Sequence, residues 1–95
     1  MNTNQLKRVA KLVYGNMCGL YEKDVQVQYI VNREAVTVEL SRYSSGLRTL
    51  SVIIFENDYD RKLNFLHDAI HSLMKGNTDE ALETAVADYK RNFSF

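Results

Sequence analysis

The sequence predicts an α+β domain in the order helix, three-stranded antiparallel meander, two helices, with the helices on one face of the sheet. Three observations carry this. The spacing of apolar residues switches from three-and-four to two at Asp24, and back again after Glu56. The alternating segments are joined by short polar turns, "NRE" and "YSSG", which suit hairpins and are too short for crossover helices. No proline interrupts any element.

In the first segment Leu6, Val9, Ala10, Val13, Tyr14 and Met17 recur on one helical face, behind Asn2 or Thr3 as N-cap, and Gly15 or Gly19 ends the helix. From Asp24, Val25, Val27, Tyr29 and Val31 alternate with Gln26, Gln28, Ile30 and Asn32 as in a half-buried strand. Val36, Val38 and Leu40 alternate with Thr37, Glu39 and Ser41 in the second strand, and Gly46 suits a positive-φ position in the next turn. The third strand, LRTLSVIIFE, sends Leu50, Val52 and Ile54 to the core and Ile53 and Phe55 the other way. Asn57 or Asp58 caps a helix whose stripe is Tyr59, Leu63, Leu66, Ile70, Leu73 and Met74, with Gly76 past its end. Asn77 and Glu80 form a variant capping box for a last helix that buries Leu82, Ala85, Val86 and Tyr89. The terminal "NFSF" is fixed only if Phe93 or Phe95 docks.

At 95 residues the chain supports one compact domain spanning 1–95, and a dimer would relieve the shortage of core. Its 12 basic and 12 acidic side chains cancel, so no overall field draws it to nucleic acid or an anionic membrane. The charge is nevertheless polarised: residues 1–50 carry seven Lys/Arg against four Asp/Glu, and residues 51–95 carry five against eight. One cysteine, Cys18, excludes an internal disulfide and any multi-cysteine zinc module, and is expected to be a buried small apolar residue. The longest apolar run, "VIIF", is far short of a membrane span, and the N-terminus has no leader pattern. A soluble cytoplasmic protein without a cofactor is expected.

The stretch "HDAIH" places His67 and His71 on one face of the third predicted helix, in a polar strip with Asp60 and Asn64. Helical zinc motifs pair two such histidines with a glutamate base, but here Asp68 follows the first histidine, and a third ligand must come from Glu56, Asp58 or Asp60. The same three acids lack the calcium-loop pattern and are better explained as helix-capping groups. Arg42 and Arg48 flank Ser44, Ser45 and Gly46 in a loop able to hold a phosphate, and Lys7, Arg8 and Lys11 cluster on the solvent side of the first helix. The outer sheet face has no paired aromatics for base stacking. Cys18, Ser44 and Ser45 could each be imagined as nucleophiles with a histidine, and no signature supports any of them.

Apolar surface gives the stronger argument. Ile30, Ile53 and Phe55 face away from the helical layer and want a cover, either a second copy or another protein, while Phe65 is to be taken by the last helix. The expectation is therefore a non-enzymatic protein-interaction module. In size and in its lack of motifs the chain resembles small orphan proteins of phages and mobile elements, including anti-CRISPR and anti-restriction inhibitors; the resemblance covers overall organisation. It implies steric blocking of a host defence complex, in which Glu56, Asp58 and Asp60, with Asp79, Glu80, Glu83 and Asp88, would meet a nucleic-acid-binding groove. Two alternatives use other residues. One is a nucleic-acid or anion-binding accessory built on Lys7, Arg8, Lys11, Arg42 and Arg48, and the other is a metal-dependent hydrolase built on His67 and His71.

Overall fold

The structure, a computed structural model, describes residues 1–44 and 48–93. Its elements are α1 (Thr3–Gly15), α2 (Met17–Glu22), β1 (Val25–Val31), β2 (Ala35–Arg42), β3 (Thr49–Phe55), α3 (Tyr59–Lys75) and α4 (Thr78–Phe93), with a 3-10 turn over Glu56–Asp58. The strands form one antiparallel sheet in the order β1-β2-β3, as the switch of apolar period predicts. Gly46, Ser45 and Phe95, which entered the sequence reading, lie outside the described residues.

Asn2 caps α1: its Oδ1 accepts the Gln5 N–H at 2.8 Å, and Gln5 Oε1 accepts the Asn2 N–H at 3.1 Å. The helix stops at Gly15 because the Asn16 side chain donates to the Leu12 carbonyl at 2.8 Å and the chain turns there. A short helix not expected from the sequence, α2, then carries Leu20 into the core. Met17 thus belongs to α2. Three side chains assigned to the interior lie outside it, one of them Val31, which is exposed where β1 ends beyond the helical cover. Tyr14 is exposed, with its ring edge-on to Tyr29, and Cys18 is exposed on α2. Within the six-residue α2 only Leu20 is fully buried; Met17 packs half-buried against the core, and Cys18, Tyr21 and Glu22 face water. Gly19 lies against the Met74 thioether, where a β-carbon would require the methionine end to shift.

Asp24, at φ 63°, joins α2 to β1 in the left-handed region that aspartate tolerates better than most residues. In the sheet, Val27, Tyr29 and Val31 pair with Leu40, Val38 and Val36, and Leu50, Val52 and Ile54 continue the same face. That face is sealed by the helices: Val36, Val38, Leu40, Val52 and Ile54 meet Val9, Val13, Leu20, Leu66 and Leu73 in one continuous cluster. Gly76 stands at the end of α3 with extended φ and ψ, and Asn77 Oδ1 accepts the Glu80 N–H at 3.1 Å to start α4. Phe65 packs on Tyr89 and Phe93, each with ring centroids 5.5 Å away, so the last helix does take Phe65 and Phe93 fixes its end.

The start of α3 departs from the capping expectation. The Asp58 carboxylate turns back to accept the Phe55 N–H at 2.8 Å and the Lys62 ammonium at 2.8 Å, and it caps no α3 amide. Lys62 occupies a position of the apolar stripe and is 3% exposed. Its Nζ also donates to the Ile53 carbonyl at 2.6 Å and sits among the rings of Phe55, Tyr89 and Phe93.

Candidate functional site

The sheet has a sealed face and an open one. On the open face the register aligns Ile30, Thr37 and Ile53 in one row across the three strands, with Ala35 and Phe55 beside them. Ile30 is 41% exposed, Ile53 40% and Phe55 41%, so this corner is apolar and wet. The neighbouring rows, Gln28–Glu39–Ser51 and Gln26–Ser41–Thr49, are polar. The outer face is therefore apolar at the end where β1 and β3 finish, and polar at the other. Beyond Phe55 lies an open hollow of about 740 Å³ whose lining includes Phe93, Arg61 and the carboxylates of Glu34 and Glu56.

The acids named from the sequence do not form one surface. Asp79 pairs with Arg42, Glu83 with Arg48 at 3.3 Å, and Asp88 with Arg91. Asp58 is taken by Lys62 and Phe55. Among the described residues, Glu56, Asp60 and Glu80 keep no cationic partner within ion-pair distance. Glu56 follows Phe55 and lines the same hollow, while Asp60 and Glu80 belong to the first turns of α3 and α4.

Arg42 and Arg48 are likewise occupied, which changes the reading of the Ser44 loop. Arg42 Nε donates to Asp24 Oδ2 at 3.1 Å, the Ser44 hydroxyl donates to the same oxygen, and Asp79 holds the other side of the guanidinium. The Ser44 hydroxyl bond, ahead of Arg42, holds the Asp24 carboxyl below its ordinary range despite partial desolvation. Desolvation works against the Arg42 cation, and its bonds to Asp24 and Asp79 more than offset this, leaving its pKa raised. The two arginines are tethers between the β2–β3 end of the sheet and α4.

Lys7, Arg8 and Lys11 remain exposed on α1, without a carboxylate in reach among the described residues. Arg8 and Lys11 rim a crevice of about 300 Å³ between α1 and α3, floored by Leu12 and Leu63 and closed by Asn64 and His67. His67 and His71 are exposed and lie parallel, with ring centroids 6.4 Å apart and an interplanar angle of 12°. No group of three or more histidine, cysteine or acid side chains able to hold a metal comes together among the described residues, so Glu56, Asp58 and Asp60 do not complete a site with the pair. Arg8 and Lys11 beside His67 further disfavour a cation there.

Sequence reasoning missed Lys62, although a signal existed. It falls three residues after Tyr59 and four before Leu66, on the buried stripe, with Asp58 one turn earlier. No helix among the described residues is long and apolar enough to cross a membrane. Comparison with known proteins gives no match, whether to a family model, a curated protein or a solved structure.

Proposed function

We propose that the protein is a non-enzymatic interaction module that works by covering an apolar surface of another protein with the corner Ile30, Ile53 and Phe55. The observation that carries this reading is the contrast between the two sheet faces. One is sealed to 0–2% exposure along Val36, Val38, Leu40, Leu50, Val52 and Ile54, and the other leaves three large apolar side chains in register and about 40% exposed. Glu34 and Glu56 beside Phe55 favour basic side chains around the partner's apolar patch. Steric inhibition of a larger complex, as the resemblance in size and organisation implies, is one use of such a surface. The pairing of Asp79, Glu83 and Asp88 with arginines makes imitation of a nucleic acid by the α4 acids the weaker version of that idea.

A photo-crosslinking side chain placed at Ile53, compared with the same group at Lys7, tests the reading in lysate of the source cells. A discrete protein adduct from position 53, lost in Phe55→Glu, supports it. Equal adducts from both positions, or none from position 53, refute it. A second reading keeps the α1 cations Lys7, Arg8 and Lys11 as an anion-binding face, favoured by their lack of acidic partners among the described residues. It requires binding of labelled DNA or RNA that weakens steeply with salt.

A further inference from the structure

The two edges of the sheet are treated differently. In β3 the backbone groups of Thr49, Ser51, Ile53 and Phe55 point away from β2. Side chains close the half of that edge nearest the apolar corner: Tyr89 oxygen takes the Ile53 N–H at 3.4 Å, Lys62 takes the Ile53 carbonyl at 2.6 Å, and Asp58 takes the Phe55 N–H at 2.8 Å. A lysine buried at a sheet edge is a recurrent guard against further strand pairing.

At β1 the hairpin bonds fix which groups are free. The Asn32 N–H donates to the Ala35 carbonyl at 2.8 Å and the Tyr43 N–H to the Asp24 carbonyl at 3.0 Å, so even-numbered β1 residues bond to β2 and Val25, Val27, Tyr29 and Val31 face outward. Among the described residues, no side chain or backbone group bonds to those outward amides and carbonyls. The strand reads VQVQYIV, with no charge, no proline and no glycine, so it carries none of the usual guards of an exposed edge.

We infer that β1 is the seam of a two-fold homodimer, in which β1 of two copies pair antiparallel and the two sheets join into one of six strands. The full-overlap register is centred on Gln28. Val25 then faces Val31 of the second copy and Val27 faces its Tyr29 as hydrogen-bonded pairs, for about eight main-chain bonds. On the outer face Gln28 meets Gln28, and Gln26 meets Ile30. A second copy is the occupant the observations favour: an uncharged strand is compatible with its own image, the two-fold operation uses up β1 in both copies, and side chains close the half of the β3 edge nearest the apolar corner. Seven residues make a seam about 24 Å long, smaller than an obligate interface, so the dimer is reversible. Joining the sheets also brings the two Ile30 side chains onto one continuous outer face.

The test uses the whole chain with Cys18→Ser, because Cys18 is exposed. Sedimentation across a wide concentration range is expected to show a monomer–dimer equilibrium. Gln28→Cys, on an exposed side chain that the register places opposite itself in a non-hydrogen-bonded pair, is expected to oxidise to a covalent dimer, and Gln26→Cys alone is not. Val27→Pro removes an outward N–H without touching a β2 bond, and is expected to raise the dissociation constant at least about tenfold while circular dichroism stays unchanged. Ile53→Asp is expected to leave the dimer intact, which separates this inference from the proposed outer-face function. A monomer at all concentrations, an open-ended aggregate, or a dimer in which Gln28→Cys and Gln26→Cys oxidise alike overturns it.

Discussion

Replacing Lys62 by methionine isolates the polar half of a buried side chain while keeping its unbranched stem. The ammonium makes two charge-assisted bonds, 2.6 Å to the Ile53 carbonyl and 2.8 Å to Asp58, and its side chain is 4% exposed. Such bonds are worth about 1.5–3 kcal/mol each, and breaking a buried pair by removing one partner costs about 3–5 kcal/mol because the other charge is stranded. Asp58 keeps the Phe55 N–H and is 21% exposed, so water recovers part of the loss. The lower end applies, about 3 kcal/mol, which for a domain of this size lowers Tm by roughly 15 °C. Urea unfolding of Lys62→Met, Asp58→Asn and the double variant measures it, and the two changes are expected to be non-additive by about 1–2 kcal/mol. A loss below about 1 kcal/mol, or the gain in stability sometimes seen when ion pairs are replaced by apolar groups, would refute the claim that this lysine holds the β3 edge to α3.

The Asp24 cluster gives a pH prediction. A carboxyl whose pKa is lowered on folding stabilises the native state above its unfolded value, ordinarily 3.8, and that contribution fades as pH falls through the lower folded value. The urea midpoint is thus expected to drop below about pH 4, and Asp24→Asn, which also tolerates the left-handed backbone, is expected to flatten that drop; an identical acid limb in both proteins would count against the cluster. Phe65→Ala opens a gap beneath Tyr89 and Phe93 and is expected to cost about 2 kcal/mol in the same assay, short of the range for a fully buried ring because Phe65 is only half-buried. A partial change in near-ultraviolet tyrosine dichroism is expected with it, and complete loss of that signal would indicate a general loosening instead of a local effect at Tyr89.

What could be read from the sequence followed from periodicity. Two-residue alternation located β1 and β2, and the double apolar character of β3 correctly separated Ile53 and Phe55 from Val52 and Ile54. The capping pairs Asn2–Gln5 and Asn77–Glu80 were legible because their spacing is local. The short helix α2 was not, since six residues with two glycines nearby carry too little periodic signal, and Tyr14 and Cys18 were misplaced along with it. Partnerships across long sequence separation were also invisible. Asp79 looked like a surface acid until folding brought it to Arg42, 37 residues away, and Lys62 looked like a break in an apolar stripe.

The polarised charge of the sequence now has a structural use. The basic excess of the first half and the acidic excess of the second meet at the surface where Arg42 and Arg48 reach Asp79 and Glu83, while Lys7, Arg8 and Lys11 on α1 and Glu56, Asp60 and Glu80 stay unpaired among the described residues. Two stretches carry no charged side chain of their own, the Ile30–Ile53–Phe55 corner, which Glu34 and Glu56 flank, and the outward edge of β1. The fold does not require this, because a lysine or glutamate at Gln26 or Gln28 would face solvent and guard β1 as Lys62 guards β3. A chain that closes one sheet edge with a buried ion pair and leaves the other neutral, unguarded and seven residues long has kept that edge able to pair, and Gln28→Cys reports whether a second copy pairs with it.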